Sequence, residues 1–306
     1  MKITEKNGYK ISELTLGTVQ LGIPYGINNK NGMPSYEQSA GILQTAIDGG
    51  IVSFDTAKGY GKSEAVLGRF FSENPAMKTL ITKVEFDKET PDEIKDSLFE
   101  KVKDSAKVMG LSKLTLVLLH SESYLEKYGK TLIDALKELK EEGLTESVGI
   151  SFSDKSKLLE MTDPKVFESV QIPANMFDNE EIRHGRIKEL SKSGIAVYVR
   201  SVYLLGLFFM DTDSLPPKIK SAKPALVKLR HIAKDNNLSM TALALSYMRG
   251  AEGITSLVLG CETKEQLKDS LSLFDLPPLS QSIADKITEI SEEIESVVIR
   301  PWEWNR

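Results

Sequence analysis

Apolar residues along the chain fall into two alternating patterns. Short runs rich in β-branched and aliphatic residues, Ile11–Leu16, Ile51–Phe54, Thr79–Thr82, Leu114–Leu119, Ser147–Ile150, Phe167–Gln171, Ile195–Val199 and Thr255–Leu259, read as strands covered on both faces. Between them lie longer stretches whose apolar positions recur at helical spacing: Tyr36–Asp48, Ser63–Phe71, Pro91–Met109, Gly129–Glu142, Lys155–Met161, Glu180–Lys192 and Ala222–Asp235. Strand and helix alternate without a long structureless break, which implies parallel strands joined by right-handed crossovers. Several helices stop where glycine supplies the positive φ of a C-cap just ahead of a strand: Asp48-Gly49-Gly50, Met109-Gly110, Glu142-Gly143 and Ser193-Gly194. Eight such units of under ~40 residues match an α/β fold of the closed (β/α)8 type, with an open doubly wound sheet as the competitor. The expectation is one barrel domain over residues 1–306. Three segments look inserted: the loop Gly22–Pro34, the loop Tyr203–Lys218, and a tail, Gln281–Arg306.

Composition narrows the class of function. Of 306 residues, 41% are hydrophobic and 27% charged, enough apolar material for a large core and no bias toward disorder. The 39 basic and 44 acidic residues sum to −5, which offers no footprint for nucleic acid or an anionic membrane. Cys261 is alone, so neither an internal disulfide nor a cysteine metal cluster is available, as in a reducing compartment. No run approaches the ~18 apolar residues of a membrane span, and MKITEKNGYKISEL lacks the apolar stretch of a secretion signal. The chain is expected to be cytoplasmic.

A barrel carries its chemistry where strands end at the C-terminal face. Asp55 ends the second expected strand, Lys83 ends the third and His120 the fourth, while Tyr60 sits between Gly59 and Gly61 just after the second. Taken singly, each has an ordinary reading: Asp55 as a turn or cap residue, Lys83 as a solvated lysine, Tyr60 as a turn aromatic. Together they form a proton-transfer set. An ammonium beside a phenol lowers the phenol's pKa, a carboxylate holds that ammonium, and an imidazole can polarise a carbonyl. His184 and His231 lie in helical stretches with no metal-ligand spacing to His120, so no metal is expected. Gly61-Lys62-Ser63 lacks the leading glycine of a phosphate loop, and Gly17 with Gly22 fails the dinucleotide fingerprint of the doubly wound fold.

Gly17-Thr18, Phe54-Asp55-Thr56-Ala57-x-Gly59-Tyr60-Gly61-x-Ser63-Glu64-x-x-Leu67-Gly68, Thr82-Lys83 and Leu118-Leu119-His120 resemble the pattern of the aldo-keto reductase family, over about Ile11 to Ser270. The resemblance implies a (β/α)8 barrel that binds a nicotinamide dinucleotide in extended form and reduces an aldehyde or ketone. It makes Asp55, Tyr60, Lys83 and His120 the catalytic set, with Tyr60 as general acid. It also assigns a cofactor role to Gly17, Thr18, Asp55, Ser151 and Gln171, the last two toward the carboxamide, although Phe152 stands where an asparagine is usual. Arg200 replaces the tyrosine that stacks on nicotinamide, its planar guanidinium taking over the stack or joining a salt bridge at the rim. Ser201, Leu204 and Gly206 fall on the pyrophosphate loop, and Gly260, Glu262, Thr263, Lys264, Gln266 and Ser270 on the segment that meets the adenosine.

Phosphorylated and plain cofactor are not separated by these residues. NADP(H) is the family's usual choice, with NAD(H) the alternative, because Gly260 and Gln266 stand where many NADPH-binding members carry cations, leaving Lys264 the main candidate partner for a 2′-phosphate. The Arg200-Ser201-Val202-Tyr203 run and Val170–Asn175 resemble bacterial members associated with sugars or polysaccharides, and Asn28–Asn31 adds hydrogen-bonding groups. Small aliphatic or aromatic aldehydes are the competing substrates. A second class of function, a cofactor-binding regulatory or assembly subunit on the same barrel, stands beside the enzyme reading, and the complete catalytic set argues against it.

Overall fold

The computed structural model describes residues 1–29, 31–274 and 276–304. The chain starts with an antiparallel hairpin, β1 (Ile3–Lys6) and β2 (Tyr9–Ser12), turned by Asn7 and Gly8 at φ 52° and 84°. An Asn-Gly pair is suited to such a turn because both central residues need positive φ. The expected first strand, Ile11–Leu16, is therefore two: its start belongs to the hairpin and its end to β3 (Leu14–Gly17). Seven more strands follow: β4 (Ser53–Asp55), β5 (Thr79–Val84), β6 (Leu114–Leu119), β7 (Thr145–Ser151), β8 (Ser169–Pro173), β9 (Ala196–Arg200) and β10 (Ser256–Gly260). They pair in parallel and in chain order, and β10 closes on β3 to complete an eight-stranded barrel.

The period of two along these strands sorts the barrel into two cores. One face of each strand, including Leu14, Leu16, Phe54, Val117, Ile150 and Val199, packs outward against the helices in one continuous apolar cluster. The other face turns inward, where Ile81, Leu116, Leu118, Ala196, Tyr198 and Val258 form a second cluster. The hairpin contributes Tyr9 and Ile11 to that inner cluster and so stoppers the barrel at the end away from the strand C-termini. Lys6 Nζ fastens it by donating to Ile195 O at 2.7 Å.

Helices cover the outside: α1 (Tyr36–Asp48), α2 (Ser63–Glu73), α3 (Ile94–Val108), α4 (Ser123–Glu141), α5 (Arg186–Lys192), α6 (Lys223–Asp235), α7 (Met240–Arg249), α8 (Lys264–Ser272) and α9 (Gln281–Glu292). Ser35 and Gln38 form a capping box at the start of α1. The expected helix Glu180–Lys192 is broken at Gly185, whose φ of 70° separates the short turn Glu180–Arg183 from α5. Lys155–Met161 shrinks to Leu158–Met161, and α4 begins ahead of the expected Gly129, which sits inside it with non-helical φ 51°. The segment read as a tail contains α9, with Ile287, Ile290 and Ser291 buried and Ser291 Oγ donating to Asn179 Oδ1 at 3.0 Å. Farther on, the buried Trp304 donates Nε1–H to Val297 O at 2.9 Å. Among the described residues no helix is long and apolar enough to cross a membrane.

Candidate active site

Inward-facing positions change character along the barrel. Hydroxyls of Ser12, Thr15, Ser53 and Ser256 are linked in a buried chain near the stoppered end. At the opposite mouth the same faces present Asp55, Lys83, Gln171 and Arg200, with His120 directly after β6. Lys83 is fully buried, and its ammonium is satisfied on all sides: Nζ lies 2.7 Å from both Asp55 carboxylate oxygens and 2.9 Å from Thr56 O. Tyr60 OH is 3.5 Å from the same nitrogen, and Gln171 Nε2 donates to Asp55 Oδ1 at 2.8 Å. The tyrosine and His120 rings meet edge-on, centroids 5.8 Å apart. His120 Nδ1 is 2.5 Å from Glu85 Oε1.

Tyr60 comes from the loop between β4 and α2, and the residues around it explain its placement. The hydroxyls of Thr18, Thr56 and Ser63 meet in one buried cluster, Thr18 donating to Asp55 O at 2.8 Å and Ser63 to Thr18 O at 2.9 Å. Glu64, also buried, accepts from Thr82 Oγ1 at 2.6 Å and ties the start of α2 to β5. Gly22 lies so close to this loop that a Cβ there would fall 1.8 Å from Tyr60 O, so the first loop can pack over the second only with a glycine. The Ser-Glu pair after Gly-Tyr-Gly thus acts as two anchors for the phenol.

Electrostatics in this set differ from the simple expectation for Tyr60. Burial raises its pKa, and the pull of the Lys83 ammonium downward is outweighed by that burial together with the Asp55 carboxylate. A net lowering is thus corrected to a net rise: the lysine is where it was expected, but the low-dielectric pocket penalises the phenolate more. Tyr60 is held as a neutral phenol. For Lys83, burial works against the charge, but Asp55 and Tyr60 more than offset it and the ammonium's pKa is raised.

The mouth opens into a cavity of about 620 Å³. From one end to the other its wall includes Tyr60, His120, Asp55, Gly17, Thr18, Arg200, Ser201, Gly206, Gly260, Glu262, Gln266 and Ser270. Five residues expected at the cofactor lie off this wall. Ser151 is buried at the end of β7 and Gln171 in the middle of β8, the latter with its amide nitrogen committed to Asp55. Leu204 lines an adjoining recess of about 170 Å³ with Tyr25, Asp178 and Trp302. Thr263 is the N-cap of α8, accepting from Gln266 N, and Lys264 is solvent-exposed with Nζ 4.0 Å from Glu265. Arg200 is held by Phe152 O at 3.0 Å and by Ser153 Oγ and Ser201 Oγ, both at 3.3 Å, rather than by a carboxylate.

Other wall residues escaped sequence reasoning. Gln20 and Tyr25 come from the segment after β3, Tyr203 and Phe209 from the long loop after β9, and Thr241 from α7. Tyr203 OH is 3.3 Å from Ser270 Oγ, and burial pushes its pKa up. Of the Asn28–Asn31 segment, Asn28 lines the cavity, Asn29 is spent on its own loop with Nδ2 donating to Tyr25 O, and Lys30 lies outside the described residues. The loop from Ser201 to Gly206 holds positive φ at Ser201, Leu204, Leu205 and Gly206. Non-glycine residues in that region cost of order 1–3 kcal/mol each, a strain that collects at ligand clamps.

A nicotinamide dinucleotide can be tested against these residues without placing it. Gln171 Oε1 and Gln20 Oε1 are buried acceptors with no partner, atoms that amide or hydroxyl donors of such a ligand would satisfy. At the far end, α8 starts beside the cavity and presents helix N-terminal amides suited to an anion. The residues present fit the group.

The family model described as "Aldo/keto reductase family" matches residues 13–292. Among solved structures, the chain is similar to the aldo-keto reductase AKR11C1 from Bacillus halodurans in its holo form, with TM-score 0.78 and 22% identity over 98% of this chain and 99% of that one. It is also similar to the glycerol dehydrogenase AKR11B4 from Gluconobacter oxydans, with TM-score 0.72 and 18% identity over 92% of this chain and 91% of that one. A comparison with curated proteins gave no significant match.

Proposed function

This chain belongs to the aldo/keto reductase family and is an oxidoreductase of carbonyl compounds; we propose that it reduces an aldehyde or ketone with NAD(P)H and that Tyr60 is the general acid. One observation carries the proposal: the fully buried Lys83 ammonium is clamped between Asp55 and the Tyr60 hydroxyl, and both of those partners, though not the lysine itself, line a cavity that reaches as far as Ser270. When bound, the dinucleotide would supply the hydride, held by Arg200 and the 201–206 loop at one end and by the α8 segment at the other, with Gln171 acting from behind the wall through Asp55. The neutral Tyr60 phenol gives its proton to the carbonyl oxygen as the carbon is reduced. Lys83 stabilises the phenolate left behind, Asp55 keeps that lysine charged and aimed, and solvent later restores the proton. His120 orients the oxygen.

The substrate proposed is a hydroxylated aldehyde or ketone of the sugar or polyol kind. The cavity wall sets the hydrogen-bonding groups of Tyr25, Asn28, Ser153 and Arg200 among apolar residues such as Val19, Leu205 and Phe209, and a neighbour in fold is a glycerol dehydrogenase. For the cofactor, NADP(H) is the family's usual choice, yet the wall around Glu262, Gln266 and Asp269 carries no cation among the described residues, so NAD(H) is expected to be used well. The reading takes residues 1–306 as one working unit in the cytoplasm. The test is oxidation of NADPH and of NADH with paired aldehydes, each hydroxylated compound set against its deoxygenated counterpart. Turnover abolished in Tyr60→Phe supports the enzyme; binding of dinucleotide without turnover on any member of the panel would favour a cofactor-binding subunit.

A further inference from the structure

β5 and β6 run side by side with Val84 opposite Leu119, so Glu85 and His120 are the first residues beyond the last paired rung. Both have inward parity, Glu85 following Ile81 and Lys83 and His120 following Leu116 and Leu118. The backbone fixes their relation further, because His120 N donates to Val84 O at 3.0 Å. Their side chains meet at 2.5 Å, His120 Nδ1 to Glu85 Oε1. The glutamate is also boxed in from the catalytic loop: a Cβ on Gly59 would fall 2.7 Å from Glu85 Oε1 and 2.9 Å from Oε2, so the carboxylate packs flat against the residue before Tyr60. The His120 contact holds the Glu85 carboxyl below its ordinary range.

We infer that Glu85 is a positioning residue that fixes which nitrogen of His120 serves the substrate. The inference rests on the proposed carbonyl-reducing reading of the same site. An imidazole has two chemically distinct nitrogens, and the partner of one decides the state of the other. A carboxylate accepts only, so the Nδ1 beside it must carry the proton. Nδ1 is buried, and its approach to Glu85 is a close charge contact rather than an aligned hydrogen bond, which leaves Nε2 as the nitrogen that the cavity sees. In the neutral ring Nε2 is then an acceptor, able to take a proton from a substrate alcohol. In the protonated ring it is a donor to a carbonyl oxygen, with Glu85 balancing the charge. Without Glu85 the neutral ring reverts to the tautomer favoured in water, with the proton on Nε2, and the ring loses the contact that sets its angle beside Tyr60.

The test uses the full chain labelled with 15N at histidine. There are three histidines, so the spectrum of His120→Asn assigns the ring of interest by its missing signals. Long-range 1H–15N correlations are expected to show the Nδ1-protonated pattern for His120 in the wild type and the Nε2-protonated pattern in Glu85→Leu. The same pattern in both would overturn the inference, and this readout needs no turnover, so it stands apart from any failure of the carbonyl-reducing reading. In the reductase assay, kcat should fall by roughly tenfold to a hundredfold in Glu85→Leu with KM moved less than about threefold, as when a ligand's orienting partner is removed. Glu85→Gln keeps an acceptor oxygen without the charge and should recover most of that loss. Unchanged kcat in Glu85→Leu, or a loss confined to KM, would also overturn it. Glu85 is half exposed, so Glu85→Gln is expected to fold even if the leucine variant does not.

Discussion

Lys83→Met removes the charge at the centre of the site while keeping the length of the side chain, so little cavity is left and the effect is electrostatic. All three ammonium protons have partners, two carboxylate oxygens of Asp55 and the Thr56 carbonyl. After the substitution, the buried Asp55 retains only the Gln171 amide. Breaking a buried pair by deleting one partner costs about 3–5 kcal/mol, most of it the stranded charge. For a chain of 306 residues that converts to a fall in Tm of roughly 5–8 °C. Adding Asp55→Asn removes the stranded charge, and the double variant should regain at least half of the loss; independent sites would instead add their costs. The assay is thermal unfolding followed by circular dichroism for wild type, both single variants and the double. A Lys83→Met Tm within about 2 °C of wild type, or a double variant less stable than Lys83→Met, would refute the claim that the pair is a coupled buried unit.

Tyr60→Phe keeps the ring against His120 and deletes only the hydroxyl, so kcat should fall by ~10²- to 10⁴-fold while the dissociation constant for NADPH, read by fluorescence quenching, changes little. Because burial raises the tyrosine's pKa, its donor form persists through neutral pH, and reduction should lose rate from Tyr60 ionisation only above the ordinary tyrosine range; a decline centred near pH 7 that persists in Glu85→Gln would assign the acid elsewhere. Gln266→Arg places a cation at the start of α8, and the ratio of NADH to NADPH dissociation constants should rise about tenfold, one charge-assisted bond being worth ~1.5–3 kcal/mol. A wild-type preference for NADPH above roughly a thousandfold, unmoved by this change, would show that another residue reads the 2′-phosphate. Burial pushes the Cys261 thiol up to about 12, so the folded protein should resist a disulfide thiol reagent at pH 8, and stoichiometric labelling within minutes would contradict its burial.

What the sequence disclosed follows from how local each signal is. β6 and α1 were legible to the residue, because β6 is an unbroken aliphatic run and α1 opens on the Ser35–Gln38 cap. The hairpin was missed although Asn7-Gly8 marked its turn, since Ile11–Leu16 reads as a single strand and conceals the change of direction at Glu13. Helices α7 and α9 were missed for opposite reasons. Met240–Arg249 is buried on nearly every side and so shows little amphipathic contrast, whereas α9 lies past the last expected strand, where no barrel unit called for it. In the site, the strand-end rule located Asp55, Lys83 and His120. It could not locate Gln20, Tyr203 or Glu85, whose roles depend on which loops lie across which strand.

The same parity that places Lys83 explains why the barrel tolerates it. Inward positions descend from charged residues at the mouth, through Tyr198, Leu116 and Leu118, to linked hydroxyls near the hairpin. An ammonium with no solvent exposure survives only if every proton is matched, and here the matching atoms come from β4 and the loop that carries Tyr60. The layer beneath, Leu116, Leu118 and Tyr198 closed by Tyr9 and Ile11, covers the pair from below. On the proposed reading, the attraction between the fully buried Lys83 and a developing Tyr60 phenolate acts across a low dielectric, where it is worth several times its value in water. On the proposed reading the hairpin supports the site by closing the far end of the barrel, although it contributes no residue to the cavity wall.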